Sequence, residues 1–192
     1  MSDYGVLLAP RTVRLERVLP GPIERVWSYL VDSDKRGEWL AAGEMEPRVG
    51  GKVELWFNHS TLTPHKEVTP EKYRQYDGKS SAVPGRVLKW EPPRLLVIEW
   101  PQKVAATDGK PGAQNSHKVS NVTFELVPDG KNVLLTITHR NLADRSEVVG
   151  VSGGWHVHTG ILVDKLNGRV PKPFWAEHDK LEKEYEERIP RD

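Results

Sequence analysis

The sequence predicts a single α+β domain in which an antiparallel sheet is covered by one long helix near the C-terminus. Three observations carry that expectation. Between residues 52 and 139 apolar side chains recur with a period of two, in short runs separated by Gly, Pro and Asp. From residue 144 the pattern turns helical, opened by the capping-box spacing Asp144-x-x-Glu147 and closed by Asn167-Gly168. The 192 residues allow one domain with a substantial core and are short for two, and no repeat or linker divides them.

The elements follow in order. Residues 12–19 are strand-like and stop at Pro20-Gly21-Pro22. Ile23, Val26, Trp27 and Leu30 then recur at i, i+3, i+4 and i+7, the apolar face of a short helix entered at Pro22. Residues 33–40 suggest a further helical turn or two capped by Ser33. Segments 52–57, 86–90, 95–100, 119–127 and 133–139 are expected as strands, the last two joined as a hairpin through Pro128-Asp129-Gly130. Between them, 58–83 is polar, with a helical turn opening at Thr69-Pro70-Glu71 and carrying Tyr73 and Tyr76, and is expected to form a rim or lid. Residues 101–116 are expected to be a mobile loop. Residues 174–189 form a charged amphipathic helix. The domain is therefore expected over 12–168, with 169–192 as an appended helical segment.

Composition narrows the function classes. With no cysteine, disulfides and thiolate metal sites are excluded. A net charge of +1, with basic and acidic residues interspersed, gives no pull toward nucleic acid. No apolar run approaches a membrane span, and the N-terminus lacks the pattern of a signal peptide, so a soluble cytoplasmic protein is expected. The seven tryptophans are the unusual feature: each is large and carries an N–H that needs an acceptor, which suits pocket walls and interfaces as well as cores.

Residues 150–160, GVSGGWHVHTG, admit three chemistries. Gly150-x-Ser152-x-Gly154 matches a hydrolase elbow, but that turn needs a parallel sheet and βα units, which the strand order does not supply. His156 and His158 would share a face only in a strand. In a helix they lie about 200° apart, and no carboxylate–histidine spacing completes a metal site. The capping box and the stop favour a helix, so no metal and no cofactor are expected. The glycines at 150, 153, 154 and 160 are then expected to let the sheet, or a ligand, approach the helix closely.

Strand parity sorts the faces. Val53, Leu55 and Phe57 should point inward, as should Leu88 with Trp90, then Leu96, Ile98 and Trp100. Val122, Phe124 and Leu126 follow, and His139 is the one polar member of the row Val133, Leu135, Ile137, His139. Trp56 has outward parity. It and Trp175 are explained if the C-terminal segment folds back over the sheet or the first helices. On the long helix Trp155 and Leu162 share a face, bordered by His158 and Thr159. A sheet gripping one helix leaves a space where a ligand belongs. Its expected lining is Phe57, Trp90, Trp100, Phe124 and His139 from the sheet, with Trp155, His158, Thr159 and Leu162 from the helix.

Several words in this order carry a family resemblance. They are Arg17-Val18-Leu19 before Pro22, Val26-Trp27, Trp39-Leu40, Gly50-Gly51-Lys52 and Gly85-Arg86-Val87-Leu88. Glu91-Pro92-Pro93-Arg94-Leu95, Trp100, the run Val122 to Leu126, Thr138-His139 and Gly154-Trp155 continue the series. Over residues 12–168 the chain resembles the Aha1-type branch of the START-like (SRPBCC, helix-grip) superfamily. The resemblance implies a curved sheet around the C-terminal helix, a hydrophobic cavity beneath it, and Trp39 among its walls. Thr159 departs from the large aliphatic residue usual there, and the connections at 58–83 and 101–117 are longer than a minimal member needs. The function expected is binding of a small hydrophobic or amphipathic molecule. The alternative is a module that docks a chaperone such as Hsp90, with a link to stress response. An enzyme of the cyclase or hydrolase kind is less favoured, because no acid–base pair or phosphate loop emerges.

Overall fold

The structure, a computed structural model, describes residues 3–77, 79–80, 84–100 and 119–191. The loop expected at 101–116 lies outside the described residues. Strand β1 (Val6–Ala9) leads into β2 (Thr12–Pro20), followed by helices α1 (Ile23–Val31) and α2 (Ser33–Gly37). Short strands β3 (Lys52–Val53), β4 (Trp56–Phe57) and β5 (Lys79–Ser80) precede the longer β6 (Gly85–Glu91), β7 (Leu95–Glu99), β8 (Asn121–Asp129) and β9 (Asn132–Arg140). Helices α3 (Arg145–Leu166) and α4 (Phe174–Arg188) complete the chain. Seven strands form one antiparallel sheet in the order β1-β2-β9-β8-β7-β6-β3, while β4 and β5 pair separately.

The hairpin β8–β9 forms where the Asp129-Gly130 turn sets it, with Gly130 at φ 60, a conformation that favours glycine. Helix α3 begins as its capping box dictates: Asp144 accepts from the Glu147 N–H at 2.9 Å, and the Glu147 carboxylate accepts in return from Ala143 N–H. It ends at Leu166, with Gly168 at φ 69 just beyond.

Three local expectations give way. The strand expected over 52–57 changes partner halfway. Val53 stays with β6, but the N–H groups of Glu54 and Trp56 go to the carbonyls of Glu44 and Ala42. The inward parity at Leu88 is also wrong: Leu88 is 39% exposed and Val87 is buried. A register shift between Val87 and Lys89 adds a residue to the strand, so the inward positions are Val87 and Trp90, three apart rather than two. Ser33 is the first residue of α2 rather than its cap, and its Oγ accepts from Gly43 N–H.

Helix α3 is buried on two sides, against the sheet and against α4. The C-terminal helix therefore does not fold over the sheet or the first helices. It lies along α3, burying Phe174, Trp175, His178, Leu181 and Tyr185, while Trp56 stays 46% exposed. Its N-terminus, entered from Pro173 without a side-chain cap of its own, is capped from the connection between β4 and β5. Glu67 accepts from the N–H groups of Trp175 and Ala176, both at 3.0 Å, 108 and 109 positions away. The 58–77 segment is tied to α4 and the turn before it at several points. His65 meets Pro171 O, Tyr73 stacks on Trp175 and donates to Glu182, and Lys72 pairs with the same carboxylate. Within that segment Asp77 is the knot: burial opposes its charge, yet bonds from Ser60, Thr69 and the His59 N–H hold its pKa below the usual carboxylate range.

Candidate functional site: an aromatic and histidine layer under the long helix

The sheet face toward α3 carries apolar residues from every long strand, interrupted by two polar side chains, Arg17 on β2 and His139 on β9. His139 on β9 sits between Val13 of β2 and Val122 of β8 in the sheet register. Trp155 of α3 lies over it, and the indole N–H donates to His139 Nδ1 at 3.2 Å. An indole nitrogen can only donate, so Nδ1 is bare and the imidazole proton resides on Nε2. That Nε2–H is buried and has no hydrogen-bond partner. Burial lowers the His139 pKa to about 3, so the ring is neutral at ordinary pH and cannot escape the mismatch by charging.

His158, just under one turn further along α3, has the opposite arrangement. Its Nδ1 donates to the Trp39 carbonyl at 2.7 Å, 119 residues away, which leaves Nε2 as an acceptor. Burial, and after it the neighbouring His59, lowers its pKa to about 3. Two aromatic rings connect the imidazoles: Trp100 lies 5.5 Å from His139, Phe57 lies 6.3 Å from His158, and the two rings are 6.1 Å apart. Both Trp100 and Phe57 are only half-buried. The layer thus offers a donor and an acceptor among aromatic faces, with a partly open edge at Phe57 and Trp100.

Of the residues expected to line a site, Phe57, Trp100, Phe124, His139, Trp155 and His158 form one contiguous group. Trp39 joins it through its carbonyl. Thr159 is fully buried at 0% exposure, and its hydroxyl donates to Trp155 O within the helix at 2.7 Å. Its proton is therefore committed, and only lone pairs remain for another contact. Leu162 is buried in the core, whereas Trp90 packs edge-on against Trp27 at 5.3 Å. Ser152, the serine of the elbow-like pattern, is buried mid-helix and donates to Val148 O at 2.6 Å. His156 diverges from His158, toward Tyr4 and Tyr185. Among the described residues no group of three or more His, Asp or Glu is gathered as a metal site.

Sequence reasoning missed the continuation of this layer into α4. His59 stacks with Phe57 and approaches Phe174 at 4.7 Å, and Trp175 and His178 extend the series. Trp175 Nε1 and His178 Nδ1 are further buried nitrogens without a partner. No periodic signal links 57–59 to 174–178. From the sequence, Trp175 is expected against the sheet or the first helices, whereas Trp175 stacks on Tyr73 and Phe174 meets His59. An open cleft of about 280 Å³ lies elsewhere, on the α4 side of α3, and shares none of these residues.

The family model for activator of Hsp90 ATPase homolog 1-like proteins matches residues 20–167, from the end of β2 to the end of α3. The chain belongs to that family. Its helix-grip architecture is shared by a Bordetella parapertussis protein, encoded by gene BPP1335 and solved by NMR. That protein is 41% identical, with 98% of this chain and 91% of that one covered and a TM-score of 0.75. CalU16 from Micromonospora echinospora has the same fold at 21% identity and TM-score 0.62, covering 93% of this chain and 88% of its own. The Enterococcus faecalis protein EF2215 follows at 16% and 0.60, with 94% and 86% covered. No curated protein matches the chain. Among the described residues of this family member, no helix is long and apolar enough to cross a membrane.

Proposed function

We propose that the protein binds a small, mostly apolar molecule bearing a hydrogen-bond acceptor. The apolar body lies against Phe57, Trp100, Phe124 and Trp155, and the acceptor takes the proton of His139 Nε2. The buried, unpartnered Nε2–H carries this reading. A buried donor without an acceptor costs about 1–3 kcal/mol, and an arriving carbonyl or hydroxyl removes that cost. Membership of a helix-grip family, in which the space between sheet and helix is where ligands are expected, supports the same place.

Native mass spectrometry of freshly purified protein tests this through a co-purifying molecule. Titration with flat aromatic ketones and medium-chain esters, read by the emission of Trp100 and Trp155, tests it independently. His139→Leu should abolish the response. Purification without any bound molecule, together with unchanged emission across both ligand classes, would count against the proposal. The competing reading is a docking module for a chaperone. It draws on the sheet's edge strand β1, which exposes Val6, Leu7 and Leu8. Binding that is lost in Leu7→Lys and retained in His139→Leu favours that alternative.

A further inference from the structure

Among the described residues two arginines are buried, and they differ. Arg36, 1% exposed, donates to the carbonyls of Ala41 at 3.0 Å, Val31 at 3.0 Å, Leu30 at 3.3 Å and Gly43, closing the α1–α2 turn. Its guanidinium is a structural bolt. Arg17, 7% exposed, occupies the inward parity of β2 between Leu15 and Leu19. It donates once, from Nη1 to the carbonyl of its neighbour Glu16 at 2.8 Å. Among the described residues it forms no ion pair. A guanidinium has five N–H donors in a fixed fork, so a buried arginine with one bond is a site with unused capacity.

Arg17 opens onto the cleft of about 280 Å³ between β2, α3 and α4. The apolar part of its wall is Val157, Ile161 and Val163 on α3 with Leu181 on α4, and Gly160 leaves room in the middle. A Cβ placed on Gly160 meets nothing within 4 Å. The other charged or titratable groups are His156, Asp164, Lys172, Glu177 and Asp3. Asp164 is paired with Arg169 at 2.8 Å, and Glu177 with Lys172 at 3.3 Å. His156 is neutral at ordinary pH, because burial, and then the Arg17 charge, lowers its pKa to about 4. Asp3 faces Arg17 from the exposed N-terminal arm without contacting it closely enough to pair.

We infer that this cleft is a second binding site, distinct from the aromatic layer, for a small amphipathic monocarboxylate. The carboxylate takes the Arg17 fork as a bidentate pair, and the apolar body lies over Gly160 against Val157, Ile161 and Leu181. A single negative charge fits better than two, because Asp3, Asp164 and Glu177 border the same space and repel a phosphate dianion. A cleft of about 280 Å³ has room for a small ligand of about ten non-hydrogen atoms. Phenylacetate has that size and charge.

The test is an NMR titration of the full chain with phenylacetate, following the backbone amides of Val157, Gly160 and Ile161. Saturable shifts are expected. Arg17→Gln should weaken binding about tenfold or more, the effect of losing a charge-assisted pair. Gly160→Met starts from a Cβ that meets nothing within 4 Å and extends a flexible side chain toward the cleft, so it should abolish binding in a protein that folds normally. Asp3→Asn should tighten binding about two- to threefold by removing a like charge. Inorganic phosphate at equal concentration should not displace phenylacetate. The inference is overturned if no saturable shift appears, if both Arg17→Gln and Gly160→Met bind as the parent does, or if phosphate competes effectively. His139→Leu should leave these shifts in place, so the two sites fail or stand separately.

Discussion

His156 and His158 are two residues apart on α3 and belong to different halves of the molecule. On the sheet side, Trp155, His158 and Thr159 are packed ring against ring or hydrogen-bonded to backbone, and the buried donor left over is the His139 proton. On the α4 side the contacts are looser in kind. Gly153 is where α3 approaches the Glu182 backbone of α4, His156 meets Tyr185, and an open cleft separates the elements around Gly160. Of the expectation that the helix glycines admit the sheet or a ligand, the sheet half needs correction: Gly153 admits α4, and Gly150, Gly154 and Gly160 face open space. One helix thus carries a dense wall and a permissive one. The dense side should dominate stability, and the permissive side should tolerate or reward change.

Trp155→Ala should have the largest effect. It removes the residue that caps His139 and touches Trp100 and Phe124, leaving a cavity between helix and sheet. A loss of about 3–5 kcal/mol in urea unfolding is expected. A loss under about 1 kcal/mol would erase the contrast between the two sides.

Acid should act next, and mainly on the dense side. His139 and His158 have folded pKa values lowered to about 3, against about 6.5 when unfolded. Between those values the unfolded chain binds protons that the folded chain refuses. Stability is therefore full above about pH 6.5 and falls as pH drops, by up to about 1.4 kcal/mol per pH unit for each histidine. His156, lowered to about 4 and half-open to the cleft, should contribute less. His139 and His156 diverge once His156 begins to take its proton in the folded state, so urea midpoints at about pH 4.5, 4.0 and 3.5 should slope less in His139→Leu than in His156→Phe. Equal slopes would mean that the two sides bury their histidines alike.

These contrasts were unevenly legible in the sequence. Strand alternation placed Leu96, Ile98, Trp100, Val122 and Phe124 on the covered face, because a period of two survives wherever one side of a sheet is wet. It failed at Leu88, where the extra residue of a bulge resets the parity and leaves no mark in composition. Helix α3 is buried on both sides, so its pattern could not say which residues face the sheet and which face α4. Arg17 was readable by the rule that singled out His139: it is the polar residue in the inward row Val13, Leu15, Arg17, Leu19. The Glu67 cap on α4 was not readable, since a contact across 108 positions has no local signature.

Gly153 offers a mid-sized test of the looser side. A Cβ there would sit 3.6 Å from the Glu182 backbone, an ordinary contact, so Gly153→Ala should be tolerated. Gly153→Leu must push α4 outward and should cost about 1–3 kcal/mol, with the loss of Tyr73–Trp175 stacking visible in near-ultraviolet circular dichroism. If Gly153→Leu is neutral, α4 is not seated on α3 as described.

The finest comparison uses two adjacent residues that report on opposite sides. Thr159 is fully buried toward the dense wall, and its hydroxyl serves carbonyls of its own helix, His156 O at 3.3 Å and, more closely, Trp155 O at 2.7 Å. That carbonyl belongs to the helix ladder, so Thr159→Val removes a redundant bond at nearly constant volume. The change in stability should stay within about 1 kcal/mol in either direction. Gly160 faces the cleft, and its Cβ would enter empty space in a helical backbone. Gly160→Ala should therefore add up to about 1 kcal/mol, the difference in helix propensity, because no packing opposes it. Thermal unfolding of the two variants and their double mutant should give additive shifts, since their side chains point into different spaces. A loss well beyond 1 kcal/mol in Thr159→Val would show that the hydroxyl holds the sheet side together. A destabilised Gly160→Ala would show that the cleft closes in solution.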